Sequence, residues 1–269
     1  MKKLATALVS AAAIMTMSTT AFAAENPAEV FDRVMEKNNT IQSAEIQSGV
    51  HSVILAKDVI PDGQMKVDMA MHAEMDMQDT TDLKYLAQVA SSILGQDSYS
   101  QVFYTDGYYY VDANGVKLKY PMPLEQIISS VQTGVNTSNM ESRYMKGISL
   151  NEVNGKRVLA YEANPKKLNK NVKEALGTVM NTLGTDVNLD MNIQEMKGAY
   201  VLDDNDYIIY MTNYIVYNME VLDQPMTCIT LMETEVQNPG EPVVVTLPST
   251  DGYEDLIGLY DGVIESEVE

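Results

Sequence analysis

Tryptophan does not occur in this chain, cysteine occurs once, at Cys228, and histidine twice, at His51 and His72. A single thiol cannot close an internal disulfide, so a buried core must hold the fold. The nucleophile, zinc-protease, phosphate-loop and redox motifs G-x-S-x-G, H-E-x-x-H, the P-loop and C-x-x-C are all missing, which argues against an enzyme and leaves no catalytic residue to name. Basic residues are scarce: 18 Lys and Arg stand against 38 Asp and Glu, for a formal net charge of -20. A chain this acidic has no basic footprint for nucleic acid and is repelled by anionic lipid or cell-wall surfaces. No later stretch reaches the ~20 apolar residues of a membrane-spanning helix, so stable membrane insertion is not expected. Nor does any cluster have the spacing of a metal site or a cofactor site.

The first residues carry a different signal. Lys2 and Lys3, the short apolar stretch Leu4 to Met17 and the small-x-small run Ala21-Phe22-Ala23 before Ala24 read as a secretory signal peptide over residues 1–23. A lipoprotein signal would place Cys at the cleavage point, and Cys228 is the sole Cys, so the expectation is an exported protein without a lipid anchor. Removing Lys2 and Lys3 leaves 16 basic residues against 38 acidic ones, a mature charge of -22. Roughly 245 mature residues suffice for one large β domain. The expected layout is a single domain over 24–250 and an acidic C-terminal tail over 251–269.

Methionine is abundant, and its placement is informative. Met65, Val67, Met69, Met71, Ala73, Met75 and Met77 alternate with Lys66, Asp68, His72, Glu74 and Asp76, the period of a half-buried strand. Its apolar side is thioether where a fixed core prefers Val or Ile. Met is unbranched and adaptable, which suits a surface that repacks around something apolar and variable.

Around this strand the pattern is mostly β. Asn26-Pro27-Ala28-Glu29 caps a helix whose stripe is Val30, Phe31, Val34 and Met35, ending near Asn38. A strand spans Gln42 to Leu55, and Pro61-Asp62-Gly63 turns it into the Met strand. Leu83, Leu86, Ala87, Ala90, Ile93 and Leu94 have helical spacing before Gly95, predicting a surface helix. Asp106-Gly107, Asn114-Gly115 and Asn154-Gly155 predict type I′ hairpins. Pro123 to Val131 predicts a short helix and Val135 to Ser142 a loop. Asn164-Pro165 opens a long helix with Leu168, Val172, Leu176, Val179, Met180 and Leu183 on one stripe, stopped by Gly184. Strands follow over Val187 to Leu202, Tyr207 to Leu222, Met226 to Val236 and Val243 to Leu247, with a turn at Asp203-Asp204-Asn205-Asp206. The fold class is therefore α+β: a highly curved antiparallel sheet of about eleven strands, a half-barrel with helices on its concave side.

This order of pieces resembles the bacterial lipoprotein-carrier superfamily, the LolA-like half-barrels, and their LppX/LprG-type mycobacterial relatives. The residues that carry the resemblance are the opening helix and long strand, the hairpin Tyr104-Thr105-Asp106-Gly107-Tyr108-Tyr109-Tyr110 leading into Gly115 to Tyr120, and the ending Val236-Gln237-Asn238 to Val243-Val244-Val245-Thr246-Leu247-Pro248. The resemblance implies an apolar cavity for acyl chains or lipidated partners. The absence of an anchoring Cys and of Trp, and the strongly negative charge, depart from that pattern.

Three explanations of the Met face follow. The first is an ordinary core filled by an adaptable side chain. The second is a cavity for a lipid-like or other apolar ligand, lined by Met65, Met69, Met71, Met75 and Met77, with Ile209, Met211 and Met219 from a later strand. The third is copper(I), for which thioethers are soft ligands, but on a strand His72 points away from Met71 and alternate thioethers stand ~6.5 Å apart. Tyr108, Tyr109 and Tyr110 sit beside a turn where they can line a pocket mouth, and alternation lets at most two of them share it. Ligand binding leads, with an extracellular protein-interaction or structural module as the rival, its acidic face meeting a protein partner.

Overall fold

The computed structural model describes residues 25–56, 60–79, 83–123, 140–170, 191–221 and 224–256. Helix α1 spans Pro27–Asn38. The strands are β1 (Ser43–Leu55), β2 (Gln64–Asp76), β3 (Lys84–Ile93), β4 (Gln96–Thr105), β5 (Tyr108–Ala113), β6 (Val116–Pro121), β7 (Met145–Val153), β8 (Lys156–Ala163), β9 (Asn192–Leu202), β10 (Ile208–Val221), β11 (Gln224–Gln237) and β12 (Glu254–Asp255). They form a 12-stranded sheet in the order β12-β6-β5-β4-β3-β2-β1-β11-β10-β9-β8-β7. Among the described residues β7 and β12 are its two edges, so it does not close. Each strand pair of defined register is antiparallel except β12 with β6.

The chain packs as two compact units, one drawn from residues 1–38, 49–68 and 138–235, the other from 39–48, 69–137 and 236–269. In the first unit α1 starts where the sequence places it: Asn26 Oδ1 accepts the Ala28 N–H at 3.1 Å, and Glu29 accepts from the Asn26 amide instead of the backbone N–H of a strict capping box. The stripe Val30, Phe31, Val34 and Met35 is buried with Leu150, Leu159, Tyr161, Tyr200 and Leu202 of β7, β8 and β9. A second helix begins at 165, capped by Asn164 and burying Leu168 in the same core. Its expected continuation to Leu183 lies outside the described residues, as do the expected helix beyond Pro123, most of the following loop and the first residues of the strand assigned to Val187 to Leu202.

In the second unit the turns have the expected backbone. Asp106-Gly107 and Asn114-Gly115 hold positive φ at both central residues (53° and 79°, 51° and 87°), the type I′ condition. In the first unit Asn154-Gly155 does the same, at 53° and 73°.

Two expectations are overturned. Leu83 to Leu94 is not a helix: β3 occupies Lys84–Ile93. Its apolar residues face both ways, Ala87 and Tyr85 toward one cluster and Leu86 toward another, so a strand covered on two sides imitates helical spacing. Gly95 does have positive φ, but in a two-residue hairpin turn with Leu94. Val243 to Leu247 is not a strand either: it joins no ladder, is bounded by Pro242 and Pro248, and packs Val243, Val245 and Leu247 into the cluster of Phe103 and Tyr110. The last strand is instead β12, next to the buried Tyr253. With β3 converted, the sheet has twelve strands instead of about eleven, and one fewer helix is available to cover it.

Candidate functional site

The register of β3 to β6 brings four tyrosines into one row. Tyr85 opposes Tyr104, Tyr104 opposes Tyr109 and Tyr109 opposes Tyr120. Directly opposed residues point to the same side of a sheet, so all four project from one face of the second unit. The next row on that face is Ala87, Val102, Val111 and Leu118, and the one beyond it is Val89, Ser100, Ala113 and Val116. Eleven of these twelve side chains are apolar or aromatic. Tyr104 and Ala87 are buried, whereas Tyr85, Tyr109, Tyr120, Val102, Val111 and Leu118 are only half-buried by the described residues.

Packing and hydrogen bonds separate the tyrosines. The Tyr109 and Tyr120 rings lie 5.5 Å apart at 48°. The Tyr104 hydroxyl donates to the Met122 carbonyl at 3.3 Å. Burial, then the neighbouring phenols of Tyr85 and Tyr120, pushes the Tyr109 hydroxyl far above the ordinary tyrosine value. Burial raises Tyr85 and Tyr120 as well. All three phenols are therefore neutral hydrogen-bonding groups at physiological pH.

Charge is kept to the other side of the same strands. Lys84, Lys117 and Lys119 alternate away from the tyrosine face, with Lys117 over the Tyr253 ring at 5.2 Å and Lys119 over Tyr108 at 5.3 Å. That opposite face holds Phe103 stacked on Tyr110 at 4.6 Å, with Tyr253 edge-on to both. Of the neighbouring tyrosines, Tyr109 thus faces one way and Tyr108 and Tyr110 the other. Register also sets Glu254 of β12 beside Leu118, at the margin of the tyrosine face.

The candidate residues named from sequence fall in both units. Met75 and Met77, 1% and 3% exposed, are buried with Ala44, Ile46, Leu83 and Tyr104, and Met71 packs at the edge of that cluster. The cluster includes Tyr85, Tyr109 and Tyr120, so these thioethers join the tyrosine row. Met69 is 39% exposed on the same strand. Met65, Ile209, Met211 and Met219 belong to the first unit. There Met211 packs against the core with Ile215 and Tyr217. A β-bulge between Ile208 and Tyr210 changes the alternation, so that Ile208, and not Ile209, joins them. Met219 lies 3.7 Å, sulfur to sulfur, from the buried Cys228. On β2, His72 meets Glu45 at 3.2 Å and Glu74 at 3.8 Å, on the side away from Met75. The Asp203 carboxylate accepts the Asn205 and Tyr207 N–H groups, each at 2.8 Å, which accounts for the acidic turn as a turn.

Tyr85, Tyr104 and Tyr120 are not among the site residues named from the sequence, although two signals for Tyr104 and Tyr120 are present. Asp106-Gly107 as a two-residue turn forces Tyr104 opposite Tyr109, and Asn114-Gly115 forces Tyr109 opposite Tyr120. Tyr85 was hidden by the helical reading of β3.

The model of a family of unknown function (DUF6612) matches residues 26–248. No curated protein matches the chain. Among solved structures it is similar to LprF from Mycobacterium bovis, with 10% identity over 83% of this chain and 97% of that one and a TM-score of 0.35. It is also similar to a β-barrel-like protein of a domain of unknown function, DUF1849, from Brucella abortus, with 11% identity over 74% of this chain and 100% of that one and a TM-score of 0.25. At these scores neither match carries an argument about ligand or mechanism.

Proposed function

The chain belongs to DUF6612, a family of unknown function, and from its own geometry we propose an exported, non-catalytic protein that binds a lipid-like apolar molecule on the tyrosine-lined face of β3 to β6. One observation carries the reading: twelve side chains in three cross-strand rows make an almost wholly apolar or aromatic face, and in its middle row Val102, Val111 and Leu118 are only partly buried beside a packed Met75 and Met77 cluster. A contiguous apolar face left partly open in this way marks a ligand or partner site. Covering it would gain about 25 cal/mol per Å² before ordering costs. The Met strand contributes a wall, and its adaptable side chains let the wall fit more than one ligand shape.

Detergent-free native mass spectrometry of protein from its host, with titration by an apolar fluorescent dye, tests the reading. Co-purified lipid or saturable dye binding is expected, and Val111→Asp with Leu118→Asp should weaken dye binding at least about tenfold, since each buries a charge against the ligand. Empty protein that binds no dye, or dye binding that ignores both substitutions, would sink it. The tight packing of Met75 and Met77 favours a second reading, a filled-core module that meets a basic protein through its acidic surface. Binding of that kind weakens as salt rises, whereas binding to an apolar face barely changes.

A further inference from the structure

Resting on that reading, we infer that the bound molecule is a neutral amphiphile, whose uncharged, hydrogen-bond-accepting end meets the hydroxyls of Tyr85, Tyr109 and Tyr120 while its hydrocarbon lies over Val102, Val111 and Leu118. The three phenols share one row and one face, next to the aliphatic row. Among the described residues no acceptor or donor pairs with their hydroxyls, in contrast to Tyr104, whose hydroxyl is engaged by Met122. An apolar molecule laid over this face would strip water from hydroxyls that have no partner there, and a ligand oxygen that accepts from them would avoid that cost. A hydrophobic strip edged by three such groups selects for one polar end.

The charge pattern decides which polar end. Strand alternation sends Lys84, Lys117 and Lys119 to the far side, so β3 to β6 offer this face no cation. The charge that register places beside it, Glu254, is an anion. A fatty-acid carboxylate would lose its hydration with no counter-ion and meet a like charge, and would be disfavoured. An ester or glycerol group accepts from phenols without that cost.

Displacement of an apolar dye from the full chain at pH 7.5 tests this, with monolauroylglycerol, laurate and laurylamine as competitors below their micelle concentrations. Monolauroylglycerol should displace dye at about a tenfold lower concentration than laurate. The triple variant Tyr85→Phe, Tyr109→Phe, Tyr120→Phe should bring the two within about twofold of each other, with the melting temperature maintained, because among the described residues the phenols it removes bond nothing. Laurate or laurylamine competing as well as the glyceride, or full preference surviving in the triple variant, would overturn the inference and leave the binding reading in place. Failure of the dye and of all three lipids to bind would overturn both.

Discussion

Leu94 occupies a backbone conformation that other two-residue turns of this chain give to Asp or Asn. Its φ of 53° matches Asp106, Asn114 and Asn154, the first central residues of three other two-residue turns. A γ-branched side chain gains nothing locally from the left-handed region, and Leu94 is 68% exposed, so packing does not compensate. Leu94→Asn should therefore stabilise by about 1 kcal/mol, read as a higher denaturant midpoint at unchanged slope. Asp206 is the opposite case, a residue held by many partners. Arg33 donates to its carboxylate at 2.9 Å, Arg157 donates to the other oxygen, and Asn38 donates to its carbonyl at 3.0 Å, tying α1 to the β9–β10 turn. Burial pushes this carboxyl up, but the hydrogen bonds from Arg33 and Arg157 outweigh it and leave its pKa below the ordinary value. A lowered folded pKa contributes stability that is complete above the unfolded value of about 4 and is lost as pH falls through the folded one. Asp206→Asn should cost about 1–2 kcal/mol at pH 7, allowing for screening at the half-exposed Arg33. The gap to the parent chain should narrow in urea titrations below pH 4.

At the scale of elements, legibility depended on whether one face or two were covered. The Met strand, α1 and the Asx-Gly hairpins each have one buried side or a turn with a fixed backbone, and local pattern is enough to find them. β3 has apolar residues on both sides, Ala87 and Leu86 in different clusters, and no local rule separates that from a helix. The error propagates, because without β3 the row ending in Tyr85 cannot be counted, and the candidate site falls on the Met strand and on Ile209, Met211 and Met219 of a later strand instead of across β3 to β6. The bulge that exchanges Ile208 for Ile209 is similarly invisible, since it depends on the partner strand β9. Gly198 is a third such position. It sits in β9 between Tyr161 and Asn213, and the Tyr161 hydroxyl donates to Asn213 Oδ1 above it. A Cβ there would stand 2.5 Å from the Thr212 carbonyl oxygen and 2.8 Å from the Tyr161 hydroxyl. The first of these is backbone and cannot swing aside, so Gly198→Ala should cost about 2–3 kcal/mol. Gly49→Ala, with open space around it, should stay within about 0.5 kcal/mol and serves as the control.

For the molecule as a whole, acidity and buried tyrosine act together at high pH. The chain carries a net charge of -20 at pH 7, and each phenol that ionises adds to a self-repulsion already unfavourable to the folded state. Tyr161 and Tyr200 stack in the core of the first unit, with ring centroids 5.2 Å apart. Burial pushes the Tyr200 hydroxyl up to about 12, the hydrogen bond with Tyr161 opposing it, and burial lifts Tyr161 well above its ordinary value. A folded pKa above the unfolded one contributes stability that is fully present below the unfolded value of about 10 and disappears as pH rises through the folded value. Stability should accordingly be flat from pH 7 to about pH 9.5 and fall steeply between 10 and 12. Tyr200→Phe should fall less steeply over that window, because its side chain cannot ionise. Added salt should raise the melting temperature at every pH by screening the acidic surface, yet leave the slope above pH 10 unchanged, since desolvation of a core phenol is not screened. Thermal melts from pH 7 to 12 at low and high salt, with the phenolate absorbance followed in parallel, separate the two effects. A loss of stability beginning below pH 9, or a slope above pH 10 that flattens with salt, would assign alkaline unfolding to surface repulsion and not to the stacked pair.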